Sequence, residues 1–140
     1  VCLSKGLGAP VGSVLVSTKE RIAKARIWRK RYGAGMRQIG ILAAAGHYAL
    51  DNNIKLLARD HDNAKKLAHA CGLPAPDTNI VAIDVSDYPF NASEYAATLK
   101  ANGILAGALG PNFVRLVTHM DLTDEDIQNA CEVLKRTLVA

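Results

Sequence analysis

At 140 residues, with 49% hydrophobic and 21% charged side chains, the chain has the size and composition of one ordinary globular domain, which excludes a disordered or fibrous protein. No apolar run is long enough to cross a bilayer, since the best candidate, ILAAAGHYAL, is short and alanine-rich, and the first residues lack the pattern of a secretory signal. The net charge is a mild +4, and Cys2, Cys71 and Cys131 are odd in number and far apart, which argues against a disulfide framework or zinc ribbon and for a reducing, cytoplasmic setting.

The chain opens on an apolar strand at Val1–Leu3, then Lys5 followed by Gly6, Gly8, Pro10 and Gly12, then a second strand, GSVLVS, over 12–17. Both strands are apolar on both faces, as in the middle of a large sheet, yet the sequence supplies no neighbours for them. The chain is therefore expected to be the C-terminal part of a longer polypeptide, or one piece of a divided one. TKERIAKARIWRKRY reads as a helix with Thr18 at its N-cap, broken by GAG at 33–35. A second helical pattern runs from Met36 through ILAAAGHYALD, where alanines and Gly46 suit close packing, and a third resumes after Asn52 and Asn53 and runs to Cys71.

Beyond the GLPAPD loop the pattern changes. NIVAIDV is a strand, and NASEYAATLKANG is a helix with Asn91 and Glu94 as a capping box and Gly103 as its stop. ILAGA and FVRLVT are short strands about a turn at Gly110 and Pro111. TDEDIQNACEVLKRTLVA closes the chain as a helix capped by Thr123. From about Cys71 onward the pattern is a small α+β unit.

Lys24, Arg26, Arg29, Lys30, Arg31 and Arg37 crowd into one stretch, but only Trp28 and Tyr32 interleave with them and no nucleic-acid motif accompanies them. A solvated helix face, or a subunit contact that also reaches an anionic ligand, is expected instead. The glycines after Lys5 miss the dinucleotide fingerprint by one residue and lead into a strand rather than a helix, and a Walker loop needs its lysine after the glycines. His47, His61, His69 and His119 lack metal-ligand spacing, so no metal site is expected. A lysine at a strand end among glycines suits another task, forming a Schiff base with an aldehyde.

The stretches LSKGLGAPVGSVL, ARIWRKRYGAGMRQIGILAAAGHYAL, LARDHDNAKKLA and FVRLVTHMDLT, in that order, resemble the low-specificity L-threonine aldolases, pyridoxal phosphate enzymes of the aspartate aminotransferase fold. The resemblance is weakest between about Gly72 and Gly110. It implies an α/β fold, with the end of a large fold type I cofactor-binding domain over 1–52, a connecting helix over 53–71 and a small α+β domain over 72–140. It implies pyridoxal 5'-phosphate held by Lys5 and approached by Lys30 and Arg37, plausibly from a neighbouring subunit of a dimer or tetramer. Arg115 matches the arginine that binds the substrate carboxylate. The implied reaction is cleavage of L-threonine or L-allo-threonine to glycine and acetaldehyde, with the pyridinium partner, the ring-stacking histidine and the β-hydroxyl base supplied upstream. Ala34 departs from the family's three successive glycines, which bears on loop geometry, and His119 is expected to be structural. Lys5 and Arg115 would serve a β-elimination or transamination equally well, and a non-catalytic structural or regulatory fragment is a third reading.

Overall fold

The computed structural model describes residues 1–138. It divides into two compact units, Val1–Lys55 and the residues from Leu56 onward.

The first unit holds a loop region and two helices, α1 (Lys19–Arg31) and α2 (Gly40–Asn52). Thr18 caps α1 as expected, its side chain accepting from the Arg21 N–H. The two expected strands do not form. Val1–Leu3 and residues 12–17 meet in one antiparallel bridge, Cys2 to Ser13, and Val14, Leu15 and Val16 are exposed without regular structure. A strand exists through the partners that satisfy its N–H and C=O groups, and no other segment in this unit offers them. The second helix starts at Gly40 rather than Met36, because Gln38 takes a left-handed φ of 49° that a helix cannot contain. A single 3₁₀ turn, Ile54–Leu56, follows the end of α2.

The second unit contains α3 (Leu57–Ala70), β1 (Ile80–Asp84), α4 (Ala92–Ala101), β2 (Gly107–Leu109), β3 (Phe113–Val117) and α5 (Asp124–Thr137). The strands form one antiparallel sheet in the order β1-β3-β2. Alternation sends Val81, Ile83, Val114 and Leu116 to one face, where they pack in a core with Ala64, Leu67, Tyr95, Leu99, Ile127 and Leu134 from the three helices. Full burial of a side chain such as Leu99 or Leu134 stabilises the unit by about 1.5–3 kcal/mol. The opposite face of the sheet is open, with Ile80, Phe113, Val117 and Leu109 each close to half exposed.

Local signals place the helix ends. Asn91 and Glu94 form the expected capping box of α4, and Gly103, φ 84°, follows its last turn. Thr123 caps α5 and Asp126 returns a bond to the Thr123 N–H at 2.8 Å. The strand expected over ILAGA is shorter and shifted, starting at Gly107. The closing helix reaches Thr137, and the expected continuation through Val139 and Ala140 lies outside the described residues. The second unit is further tied by Thr118, whose hydroxyl donates to the Asp60 carbonyl at 2.6 Å while its backbone exchanges bonds with Asn79.

Candidate functional site

Lys5 stands in a loop whose shape follows from its glycines and its small apolar side chains. The Gly8 N–H donates to the Lys5 carbonyl at 2.8 Å, closing a turn that needs φ of 70° at Gly8. The Ala9 N–H donates to the Leu3 carbonyl and the Leu3 N–H to the Gly12 carbonyl, so the loop is cross-linked on both sides of the lysine. Leu3, Leu7 and Ala9 point inward and are buried, while Lys5 is exposed. Leu3 packs so closely on α2 that a Cβ at Gly46 would lie 3.2 Å from its Cδ1. Asn53, just past the end of α2, donates from Nδ2 to the Leu7 carbonyl at 2.8 Å. Leu3, Gly46 and Asn53 thus hold the Lys5 backbone in place and leave its amine free of any hydrogen bond or ion pair among the described residues. Asn53 caps the end of α2, as its place between two helical patterns suggests, but its role as the loop's tether has no local signal, because its partner is 46 residues away.

Lys30 lies in the last turn of α1 and is exposed. Its stem runs over Gly35, where an added Cβ would come within 2.6 Å of Cδ, so a larger residue at 35 would push the flexible lysine side chain aside. Ala34 takes no left-handed conformation, and its N–H donates to the Arg29 carbonyl at 3.0 Å, so the methyl at this departure from the family's glycines causes no backbone strain. Arg37 follows in the same loop, exposed and next to the left-handed Gln38. Ten of the seventeen Lys and Arg residues, but two of the thirteen Asp and Glu residues, fall in the first unit. One ion pair, Lys24 to Glu20 at 2.9 Å, joins charges there among the described residues. The unit therefore carries a cation excess that an anion would neutralise.

Arg115 is the central residue of β3, with Ala82 opposite on β1 and Gly107 opposite on β2. Strand alternation turns Arg115 away from its apolar sequence neighbours. Val114 and Leu116 enter the core, and Arg115 stands on the open face between Phe113 and Val117. No acidic side chain pairs with it among the described residues. Lys5, Lys30 and Arg37 belong to the first unit and Arg115 to the second.

The remaining ionisable groups serve other ends. Cys2 is exposed, and the Ser13 hydroxyl at 3.5 Å lowers its thiol below the ordinary value, with Lys5 adding to the effect. Cys71 is pushed up to about 12 by burial and by Cys131 nearby, which makes it a poor nucleophile. His119 pairs through Nδ1 with Asp121 at 3.4 Å at the end of β3. Asp60 is 2% exposed, its Oδ2 has no partner among the described residues, and burial raises its carboxyl, opposed chiefly by His119. No described helix is long and apolar enough to cross a membrane.

The chain is 46% identical over 132 residues to the low specificity L-threonine aldolase of Escherichia coli, covering 91% of this chain and 38% of that protein. It is 41% identical over 137 residues to a probable low-specificity L-threonine aldolase 2 of Arabidopsis thaliana, covering 91% and 39%. The chain thus spans about two fifths of the length of the relatives it matches. An 8-amino-7-oxononanoate synthase from Francisella tularensis superimposes with a TM-score of 0.70 at 24% identity, over 96% of this chain and 43% of that one, and so shares the fold. The expected likeness to the threonine aldolases and the expected α/β fold class both stand. Residues 1–87 match the model of the beta-eliminating lyases, and with Lys5, Lys30 and Arg37 all inside that match, the chain belongs to the beta-eliminating lyase family.

Proposed function

We propose that the polypeptide containing these residues is a pyridoxal 5'-phosphate-dependent lyase that cleaves L-threonine and L-allo-threonine to glycine and acetaldehyde. The observation that carries this reading is the Lys5 loop. It holds an amine with no partner among the described residues on a backbone fixed at both flanks, in a chain 46% identical to a named threonine aldolase. The residues present fit the cofactor, since an amine suits its aldehyde and the cation excess of the first unit suits its phosphate. When bound, pyridoxal phosphate supplies the electron sink for the bond that breaks.

In this reading Lys5 Nζ holds the cofactor, and Lys30 and Arg37 hold its phosphate, approached from a neighbouring subunit of a homo-oligomer. Arg115 takes the substrate carboxylate in two parallel hydrogen bonds, which fixes the orientation of the Cα–Cβ bond. Residues 1–52 then end the large cofactor-binding domain, 53–71 connect, and 72–140 form the small domain. The remaining parts of the site come from the preceding polypeptide. The family description favours one rival, a β-elimination, which would use the same lysine and arginine.

Product analysis separates the two. The full-length enzyme given L-threonine is expected to release acetaldehyde and glycine in equal amounts; ammonia and a 2-oxo acid instead would overturn aldol cleavage. Borohydride reduction followed by peptide mapping is expected to leave the pyridoxyl group on Lys5, and its recovery on another lysine alone would remove Lys5 from the site.

A further inference from the structure

The two cross-strand neighbours of Arg115 are the smallest residues available, Ala82 on β1 and Gly107 on β2, and all three share the open face of the sheet. Directly opposed residues of antiparallel strands project side by side, so these positions flank the arginine on both sides. Alanine and glycine are poor strand residues, and exposed mid-sheet positions ordinarily take larger or β-branched side chains. At Gly107 the fold supplies no reason for the choice. Its φ is not left-handed, and a Cβ built there would meet nothing within 4 Å. Elsewhere on the same face stand the larger residues Ile80, Leu109, Phe113 and Val117, and Asp84 at the end of β1, whose carboxylate accepts from the Ser86 N–H and hydroxyl. The smallest side chains are thus at the two flanks of a cation that has no ion pair among the described residues.

We propose that Ala82 and Gly107 are positioning residues that keep both flanks of the Arg115 guanidinium open, so that the carboxylate end of an amino-acid substrate can reach it in the plane of its N–H fork. This rests on the reading of Arg115 as the carboxylate-binding residue. A larger side chain at either position would stand beside the guanidinium, tilt it or occupy the space of the carboxylate oxygens, and reduce two parallel hydrogen bonds to one.

The test uses the full-length holoenzyme with Gly107→Ala, Gly107→Val, Ala82→Val and, in parallel, Arg115→Lys. Three quantities are read: melting temperature, the dissociation constant of glycine by calorimetry, and KM and kcat for L-threonine. The expected result is unchanged or higher melting temperature for the Val variants, with glycine affinity and KM for L-threonine each worsened about tenfold, the equivalent of one charged hydrogen bond, and kcat less affected. Gly107→Ala, which no neighbour opposes, is expected to fold normally and to show a smaller loss in the same direction. If Arg115→Lys weakens glycine binding while the Gly107 and Ala82 variants do not, the inference falls and the reading of Arg115 survives. If Arg115→Lys leaves binding unchanged, that reading falls and the inference with it. Val variants that fail to fold, alongside a Gly107→Ala variant with unaltered constants, would also overturn the proposal.

Discussion

Replacing Gly46 sets two opposed effects against each other at the support of the Lys5 loop. In an exposed helix interior, Gly to Ala stabilises by about 0.8–1 kcal/mol through backbone entropy. Here the new Cβ would sit 3.2 Å from Leu3 Cδ1, closer than ordinary contact, and Leu3 is restrained because it is buried and its backbone is bonded to the Gly12 carbonyl on one side and the Ala9 N–H on the other. Displacing a wedged side chain by a few tenths of an ångström costs about 1 kcal/mol, the low end for overpacking. For Gly46→Ala the two terms cancel, and the melting temperature of the full-length enzyme is expected to hold within about 2 °C. Gly46→Val adds two more methyl groups and gains less propensity, so a net loss of about 1–2 kcal/mol is expected, or roughly 2–8 °C at 2–4 °C per kcal/mol. Because Leu3 is two residues from Lys5, the Val variant should also lose bound cofactor on gel filtration. The assay is scanning calorimetry on both variants, with Leu3→Ala added to Gly46→Val as the double-mutant test. A Gly46→Ala variant that gains the full propensity term, with Gly46→Val neutral and no coupling to Leu3→Ala, would refute the argument that Leu3 on Gly46 fixes the loop.

Arg37→Ala is expected to weaken cofactor retention without lowering the melting temperature of the cofactor-free enzyme, since Arg37 is exposed and makes no ion pair among the described residues; tight nucleic-acid binding abolished by the same substitution, with retention unchanged, would assign the basic stretch to nucleic acid instead. Asp60 should make stability fall as pH rises. Its carboxyl titrates above the ordinary 3.8 because burial outweighs the facing charges of His119, His61 and Arg59, with Asp121 adding slightly to the rise. The folded state therefore holds the proton more tightly than the unfolded state, and stability present below the ordinary value is lost as pH climbs through the raised one. Asp60→Asn removes the titrating group and should flatten this loss, raising the melting temperature near neutral pH relative to the unsubstituted protein. Parallel melting curves of the two proteins from pH 4 to 8 would contradict it.

Short-range chemistry and the order of motifs are legible before the chain folds. The caps at Thr18, at Asn91 with Glu94, and at Thr123 are legible because donor and acceptor lie within four residues of each other, so no distant partner can change the outcome. The likeness to the threonine aldolases is legible because SKGLG, WRKRYGAGMRQ and VRLVTH hold unusual residue combinations in a fixed order. Tertiary structure decided the rest. Val14, Leu15 and Val16 have strand chemistry, but a strand needs partners along its edges, and the first unit provides a single bridge at Ser13. Asp60, in the polar-looking LARDHDNA, is buried because Thr118, far along the chain, closes over its turn. Asn53 holds the Lys5 loop through a carbonyl 46 residues away. Arg115 meets Ala82 and Gly107 through the antiparallel register of three strands, and register is set by which face of each strand the core takes, a choice made only when all three are packed together.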